Sequence, residues 1–296
     1  MAGVNPNVTL DEYRVFSREG GESTWVLKAL IQAINNGDDI INMSLGRYGL
    51  LTGGYGGFDG NNDSAEYQAW IRAVDYATKK GSVVVVAAGN EGLNLDDSQA
   101  ITNYINRKTP EINARGQGVS LPGSVPGIVQ VASIGSSGQR SDFSCYSINS
   151  VYAPGGDTRK TGMQNPIRKY LPSEWILTYG GQGNYSYSCG TSFSAPEVSG
   201  MIAHEIAAHN LYKQPDKIKA KLQQSLQTNK YGLPCVILDP LIDTSTGTTS
   251  SANSSSINNS SSSKSSAVSS SQRTISAISS SLEDSWWQFN NEQIKK

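Results

Sequence analysis

Two hydroxyls in the run Ser188-Cys-Gly-Thr-Ser-Phe-Ser-Ala-Pro196 stand where chemistry is possible. Thr191 and Ser192 follow a glycine and lead into a helix-forming stretch, Glu197-Val-Ser-Gly-Met-Ile-Ala-His-Glu-Ile-Ala-Ala208. A hydroxyl at such a junction meets unpaired backbone N–H groups and the positive end of the helix dipole. That place suits a nucleophile whose attack builds a negatively charged oxygen nearby. It suits equally an N-cap, in which Thr191 or Ser192 only closes the helix. Asn90 is a second candidate. It lies in Ala87-Ala-Gly-Asn-Glu-Gly92, directly after the most apolar run of the chain. An amide exposed at a strand end can donate to an oxyanion, although Gly-Asn alone reads as a turn.

These groups need a scaffold, and the hydrophobic pattern supplies one. Val8–Phe16 alternates as a strand does. Ser23–Ile34 keeps a helical stripe at residues 26, 27, 30, 31 and 34, stopped by Gly37. Asp39–Leu45 reads as a strand, Ser64–Lys80 as a helix ended by Gly81, and Val83–Ala88 as a strand apolar on both faces. Ile128–Ser133 is a further strand, and Ser192–Asn210 and Pro215–Thr228 are helices. Strands alternating with helices predict an α/β fold: a parallel sheet with helices on both faces, in three layers. Sites in such sheets lie at the carboxyl ends of the strands, where Met43–Gly46 and Ala88–Gly92 fall.

Composition narrows the field. The 296 residues carry a net charge of −1, which offers nothing to nucleic acid or to an acidic membrane surface. Cys145, Cys189 and Cys235 are an odd, widely spaced set that fits neither a disulfide framework nor a zinc site. No run is long and apolar enough to span a membrane, and residues 1–10 lack the basic start and apolar run of a signal peptide. Residues 1–242 hold the apolar content of a core; 243–281 is mostly Ser with Thr, Asn and Ala and reads as a disordered linker or stalk. Residues 282–296, with Trp286, Trp287 and Phe289, form a short tail whose role the sequence leaves open.

Taken together, the motifs resemble those of the subtilisin-like serine proteases. Gly190-Thr-Ser-Phe-Ser-Ala-Pro196 is similar to that family's nucleophile motif, and Ala87-Ala-Gly-Asn90 to its oxyanion motif. Asn42-Met-Ser-Leu-Gly46 resembles its substrate-pairing strand. Leu121-Pro-Gly-Ser-Val-Pro-Gly-Ile-Val-Gln-Val-Ala132, Gln139–Ser144 and Val151-Tyr-Ala-Pro-Gly155 also fall in family order. The resemblance covers roughly residues 3–228. Within the family, Gly3–Leu10 running into Tyr13–Phe16 looks most like the lantibiotic leader peptidases, which remove leaders from bacteriocin precursors.

The resemblance implies a serine endopeptidase acting on extended peptide. Ser192 would be the nucleophile and Asn90 the oxyanion donor, with Ser44, Leu45 and Gly46 as the substrate-binding edge. It implies no cofactor for the chemistry, and an extracellular or cell-surface place for the parent enzyme. Structural calcium is common in the family, and Asp59-Gly-Asn-Asn-Asp63 is an oxygen-rich loop, also readable as a solvated turn. The Leu121-Pro122 match puts Ser120 near the floor of the first specificity pocket. Asp96 and Asp97 could favour basic substrates, but the sequence does not place them.

Two departures matter. Glu197 stands where many subtilases have His. The family's Asp-Thr-Gly and His-Gly-Thr motifs precede the segment with which this chain begins, so the fold is expected to be incomplete at its N-terminus. The only histidines are His204 and His209. Along a helix His204 would lie ~18 Å from Ser192, at 1.5 Å per residue, against a hydrogen-bond reach of about 3 Å. Neither can act as the base of a triad. The chain alone is therefore expected to be inactive, with a non-catalytic peptide binder or a decayed protease fragment as alternatives.

Overall fold

The computed structural model describes residues 3–18, 20–158, 174–181, 183–236 and 274–279. In chain order the elements are strands β1 (Thr9–Arg14), β2 (Phe16–Ser17) and β3 (Gly20–Gly21), helix α1 (Ser23–Asn36), strands β4 (Ile40–Met43) and β5 (Arg47–Leu50), and helix α2 (Ser64–Lys80). Then come β6 (Val83–Ala87), α3 (Ser98–Lys108), β7 (Gly118–Leu121), β8 (Val129–Ile134) and β9 (Val151–Pro154). The hairpin β10 (Ile176–Gly181) and β11 (Asn184–Ser188) precedes α4 (Thr191–His209) and α5 (Pro215–Ser225). Strands β12 (Gln227–Thr228), β13 (Pro234–Cys235) and β14 (Thr274–Ser279) complete the set.

The main sheet runs β1-β14-β4-β6-β8-β9-β13-β12, parallel except for the β12–β13 pair. Strand periodicity divides its core into two. On one face Ile41, Met43, Val84 and Val86 meet Val26, Leu30, Trp70 and Val74 of α1 and α2. On the other Ile40, Val83, Val85 and Val131 meet Val198, Ile202, Ile206, Ile218 and Leu222 of α4 and α5. A third cluster, including Tyr48, Leu50, Ile101 and Tyr104, packs the β5–β7 pair against α3. This is the three-layer α/β arrangement that the pattern predicts.

Boundaries agree closely where glycine punctuates. Helix α1 ends at Gly37 and α2 at Gly81, both left-handed C-caps with φ of 88° and 89°. Helix α3 escapes the sequence reading because its mean apolar content is low and polar Gln99, Thr102 and Asn103 interrupt it. The β10–β11 hairpin escapes because its face is solvent-exposed, with Leu177, Tyr179, Tyr185 and Tyr187 all at least 47% exposed. The linker expectation needs a correction. Thr274–Ser279, inside the span read as disordered, is a strand in the main sheet. Thr274, Ile275 and Ile278 are β-branched, a local preference that the surrounding serines conceal. The rest of 243–281 and the tail 282–296 lie outside the described residues.

An Arg-centred cluster braces the site end of the sheet. Buried Arg47 donates to Asp63 at 2.6 Å and to Glu66. Burial alone would lower the arginine's pKa; Glu66 and then Asp63 overturn that and keep it charged. Asp63 also accepts from Leu50 N and the Tyr55 hydroxyl, so the carboxylate of the Asp59–Asp63 loop is spent on protein donors.

Candidate active site

Strand β6 is buried throughout and delivers Gly89 and Asn90 beyond its carboxyl end. Hairpin strand β11 delivers Gly190 and Thr191 opposite them. The two turns are stitched together. Asn90 Oδ1 accepts from Thr191 N at 2.9 Å and from Thr191 Oγ1 at 3.0 Å, and Thr191 Oγ1 accepts from Gly89 N at 3.1 Å. The helix N-cap expected of a hydroxyl is therefore absent: Thr191 reaches across to the other turn, and Gly190 is the cap residue without a side-chain bond. Gly190 has φ 152°, and a Cβ there would stand 3.3 Å from Asn90 Nδ2. With Oδ1 held by two donors, the amide nitrogen is oriented toward the nucleophile turn. Among the described residues Nδ2 makes no hydrogen bond, so it remains available to a developing negative oxygen.

Ser192 follows, half-buried, at the start of α4. Its carbonyl has a particular problem. In a helix it would accept from the N–H four residues on, but that residue is Pro196, which has none. Ser44 Oγ supplies the missing donor at 3.0 Å. Ser44 is held in turn by Asn42 Nδ2 at 3.1 Å, and Asn42 Oδ1 accepts from Ser199 Oγ at 3.1 Å. This buried relay fixes the strand carrying Ser44 against the helix carrying Ser192. Sequence reasoning missed Asn42 and Ser199 as members; the signal was a polar Asn within an apolar strand and a proline in the first turns of a helix.

Hydrogen bonds to Glu91 support Asn90 from behind. Glu91 Oε2 accepts from Asn90 N at 2.8 Å, from the Tyr48 hydroxyl, and from Cys145 Sγ at 3.4 Å. Burial first, and then the nearby Glu91, push the Cys145 thiol up to about 12, so it stays protonated and can donate. Burial likewise holds the Tyr48 phenol well above its usual range. Cys145, Cys189 and Cys235 form no disulfide among the described residues.

The other expected residues fall as follows. Ser44 is 7% and Leu45 4% exposed, and Gly46 is buried. Ser120 is fully buried on β7 opposite Tyr48, and its hydroxyl has no hydrogen-bond partner among the described residues. Asp97 caps α3 through Ala100 N, and Asp96 accepts from Ile148 N. His204 is exposed, and His209 faces Glu205 at 3.2 Å. Helix α4 is unbroken between them and Ser192, so neither imidazole reaches the nucleophile. Among the described residues the Ser192 hydroxyl makes no hydrogen bond, and no three or more His, Cys, Asp or Glu cluster to hold a metal.

The sequence matches the subtilase family over residues 1–273. The chain belongs to the subtilase family. Among its relatives is the nisin leader peptide-processing serine protease NisP of Lactococcus lactis subsp. lactis, 36% identical over 223 residues, or 74% of this chain and 32% of NisP. The epidermin leader peptide-processing serine protease EpiP of Staphylococcus epidermidis is 33% identical over 240 residues, covering 78% and 51%. Solved structures agree. The crystal structure of NisP from Lactococcus lactis superposes with a TM-score of 0.72 at 33% identity, over 80% of this chain and 66% of that one. EpiP from Staphylococcus aureus gives 0.70 at 32%, over 80% and 57%. The chain thus spans about a third of one curated relative and about half of the other. As a subtilase it belongs with serine proteases whose chemistry uses no cofactor, and its three-layer fold is the subtilisin-like one.

Proposed function

We propose that this subtilase chain carries the nucleophile and oxyanion half of a serine endopeptidase that cleaves leader segments from lantibiotic-type precursor peptides. The observation that carries the reading is the pairing of Asn90 with Thr191, which aims a free amide donor at the turn bearing Ser192. Ser192 would attack the scissile carbonyl, and Asn90 Nδ2 would donate to the oxygen that becomes negative. Loss of one such donor lowers turnover about 10²–10³-fold. The leader-peptide substrate class comes from NisP and EpiP, whose names state it.

The same geometry supports inactivity of the 296-residue chain by itself. A serine hydroxyl needs a base within about 3 Å, and the only two histidines lie about three to five turns down α4, at 3.6 residues per turn, on the far side of Pro196. The base and its orienting carboxylate would have to come from outside this chain. A fusion placing the first part of NisP ahead of Gly3 tests the enzyme reading. Peptide cleavage by the fusion that Ser192→Ala abolishes is the expected result; a folded fusion that cleaves nothing contradicts it. The purely binding alternative gains no support, since Ser44–Gly46 are buried. Calcium has no support at Asp59–Asp63, whose Asp63 is fully engaged by Arg47, Leu50 and Tyr55. The parent enzyme's place is extracellular or at the cell surface; among the described residues no helix is long and apolar enough to cross a membrane.

A further inference from the structure

Strand β9 ends at Pro154, and the glycine that follows is built into the back of the nucleophile turn. Gly155 N donates to Ile134 O of β8 at 3.1 Å, and Gly155 O accepts from Gly190 N at 2.8 Å. The α-carbon between them faces three oxygens. A Cβ on Gly155 would stand 2.3 Å from Ser133 Oγ, 2.3 Å from Ser194 Oγ and 2.7 Å from Gly190 O, where ordinary contact is 3.4–4 Å. Gly155 lies outside the left-handed backbone region, so lack of space, not conformation, demands glycine here.

The two hydroxyls have little freedom to yield. Ser133 and Ser194 are fully buried. Ser133 Oγ shares a hydrogen bond of 2.7 Å with Ser141 Oγ, and Ser141 donates to Gly156 O at 2.6 Å. Ser194 lies in the first turn of α4, and its hydroxyl has no hydrogen-bond partner among the described residues. A buried hydroxyl without a partner is destabilising, so bonding does not account for Ser194. Its contact with Gly155 does: the oxygen is a wall against which that α-carbon is set.

We propose that Gly155, seated against Ser133 and Ser194, is a positioning residue for the nucleophile. It fixes Gly190 from behind, through the bond to Gly190 N and the contact with Gly190 O, and so sets how the Ser192 turn meets the Asn90 amide. With the hydroxyls unable to move aside, a methyl on Gly155 would drive Gly190 O back by about 0.7 Å, from 2.7 to 3.4 Å, and a misplacement approaching 1 Å costs up to about 10²-fold in rate. For turnover the inference rests on the protease reading; for the geometry of the turn it does not.

The test compares Gly155→Ala with a triple variant that adds Ser133→Ala and Ser194→Ala, removing two of the three oxygens to make room for the methyl. In the 296-residue chain, Gly155→Ala should displace the NMR signals of Thr191 N–H and the Asn90 side-chain amide. The triple variant should return them towards their original positions, with Val83–Ala87 unchanged throughout. In the fusion with the first part of NisP, Gly155→Ala should lower kcat per folded molecule about 10²-fold with KM little changed, and the triple variant should recover much of that loss. Unmoved Asn90 and Thr191 signals in folded Gly155→Ala would overturn the proposal, as would a displacement that the triple variant leaves in full. If Gly155→Ala does not fold, the triple variant decides: native-like signals support the seat, and failure to fold contradicts it. A fusion inactive before any substitution would count against the protease reading, and the signals of the 296-residue chain would still decide the positioning.

Discussion

Strands β4 and β6 are packed by α1 and α2 on one face and by α4 on the other, whereas β1 and β14 come from opposite ends of the described chain and pair through a parallel backbone ladder. The first region is held by apolar burial, which is non-directional and additive over many contacts. The second is held by a ladder whose worth depends on a partner being present. The difference bears on function, because Ser192 and Asn90 both hang from the first region. Their mutual geometry should therefore survive changes that disturb the β1 flank.

Substitutions can break that contrast or sharpen it. Trp70 is 2% exposed between α2 and the sheet. Trp70→Ala should cost ~3–5 kcal/mol in urea unfolding, whereas Leu10→Ala on β1, 67% exposed, should stay within ~0.5 kcal/mol. Similar losses at both positions would erase the distinction. Arg47→Ala should cost about 3 kcal/mol by stranding the Asp63 and Glu66 carboxylates, a loss that Glu66→Gln in the same chain should partly relieve.

A pH effect comes next. Burial pushes the Glu197 carboxyl up to about 8 from its ordinary 4.5, and Oε2 has no hydrogen-bond partner among the described residues. Between those values the folded chain holds the proton and the unfolded chain has released it. Unfolding then gives up a proton, so stability falls as pH rises through this window, by at most ~1.4 kcal/mol per unit. Denaturant midpoints should be lower at pH 9 than at pH 6, and Glu197→Gln should flatten the difference. An unchanged slope in the variant would assign the effect elsewhere. A last expected effect is local. Thr191→Val removes the hydroxyl bonds to Asn90 and Gly89 and should cost ~1–2 kcal/mol, with β1 exchange unaffected.

The legible parts of the sequence were those where one local signal sufficed. Gly37 and Gly81 mark helix ends because only glycine takes the left-handed cap easily. Val83–Ala87 reads as a central strand because both faces are apolar. Ser192 and Asn90 were named from motifs, and the structure brings their turns together through Thr191. What stayed hidden depended on partners distant in sequence. Asn42 and Ser199 gain meaning only when Pro196 leaves the Ser192 carbonyl short of a donor. The burial of Ser44–Gly46 follows from packing no local pattern encodes. Thr274–Ser279 is a strand through its pairing with β1 and β4, far upstream in the chain.

The central proposal is that Ser192 and Asn90 are prepared for acyl transfer and that none of the described residues is placed to act as its base. Incubating the purified 296-residue chain with an extended leader-type peptide, beside its Ser192→Ala variant, and counting cleavage products by mass spectrometry tests this most directly. The account predicts no cleavage above that of the variant. Cleavage at a defined bond that Ser192→Ala abolishes would contradict it, and would mean that a group within these residues takes the proton from Ser192.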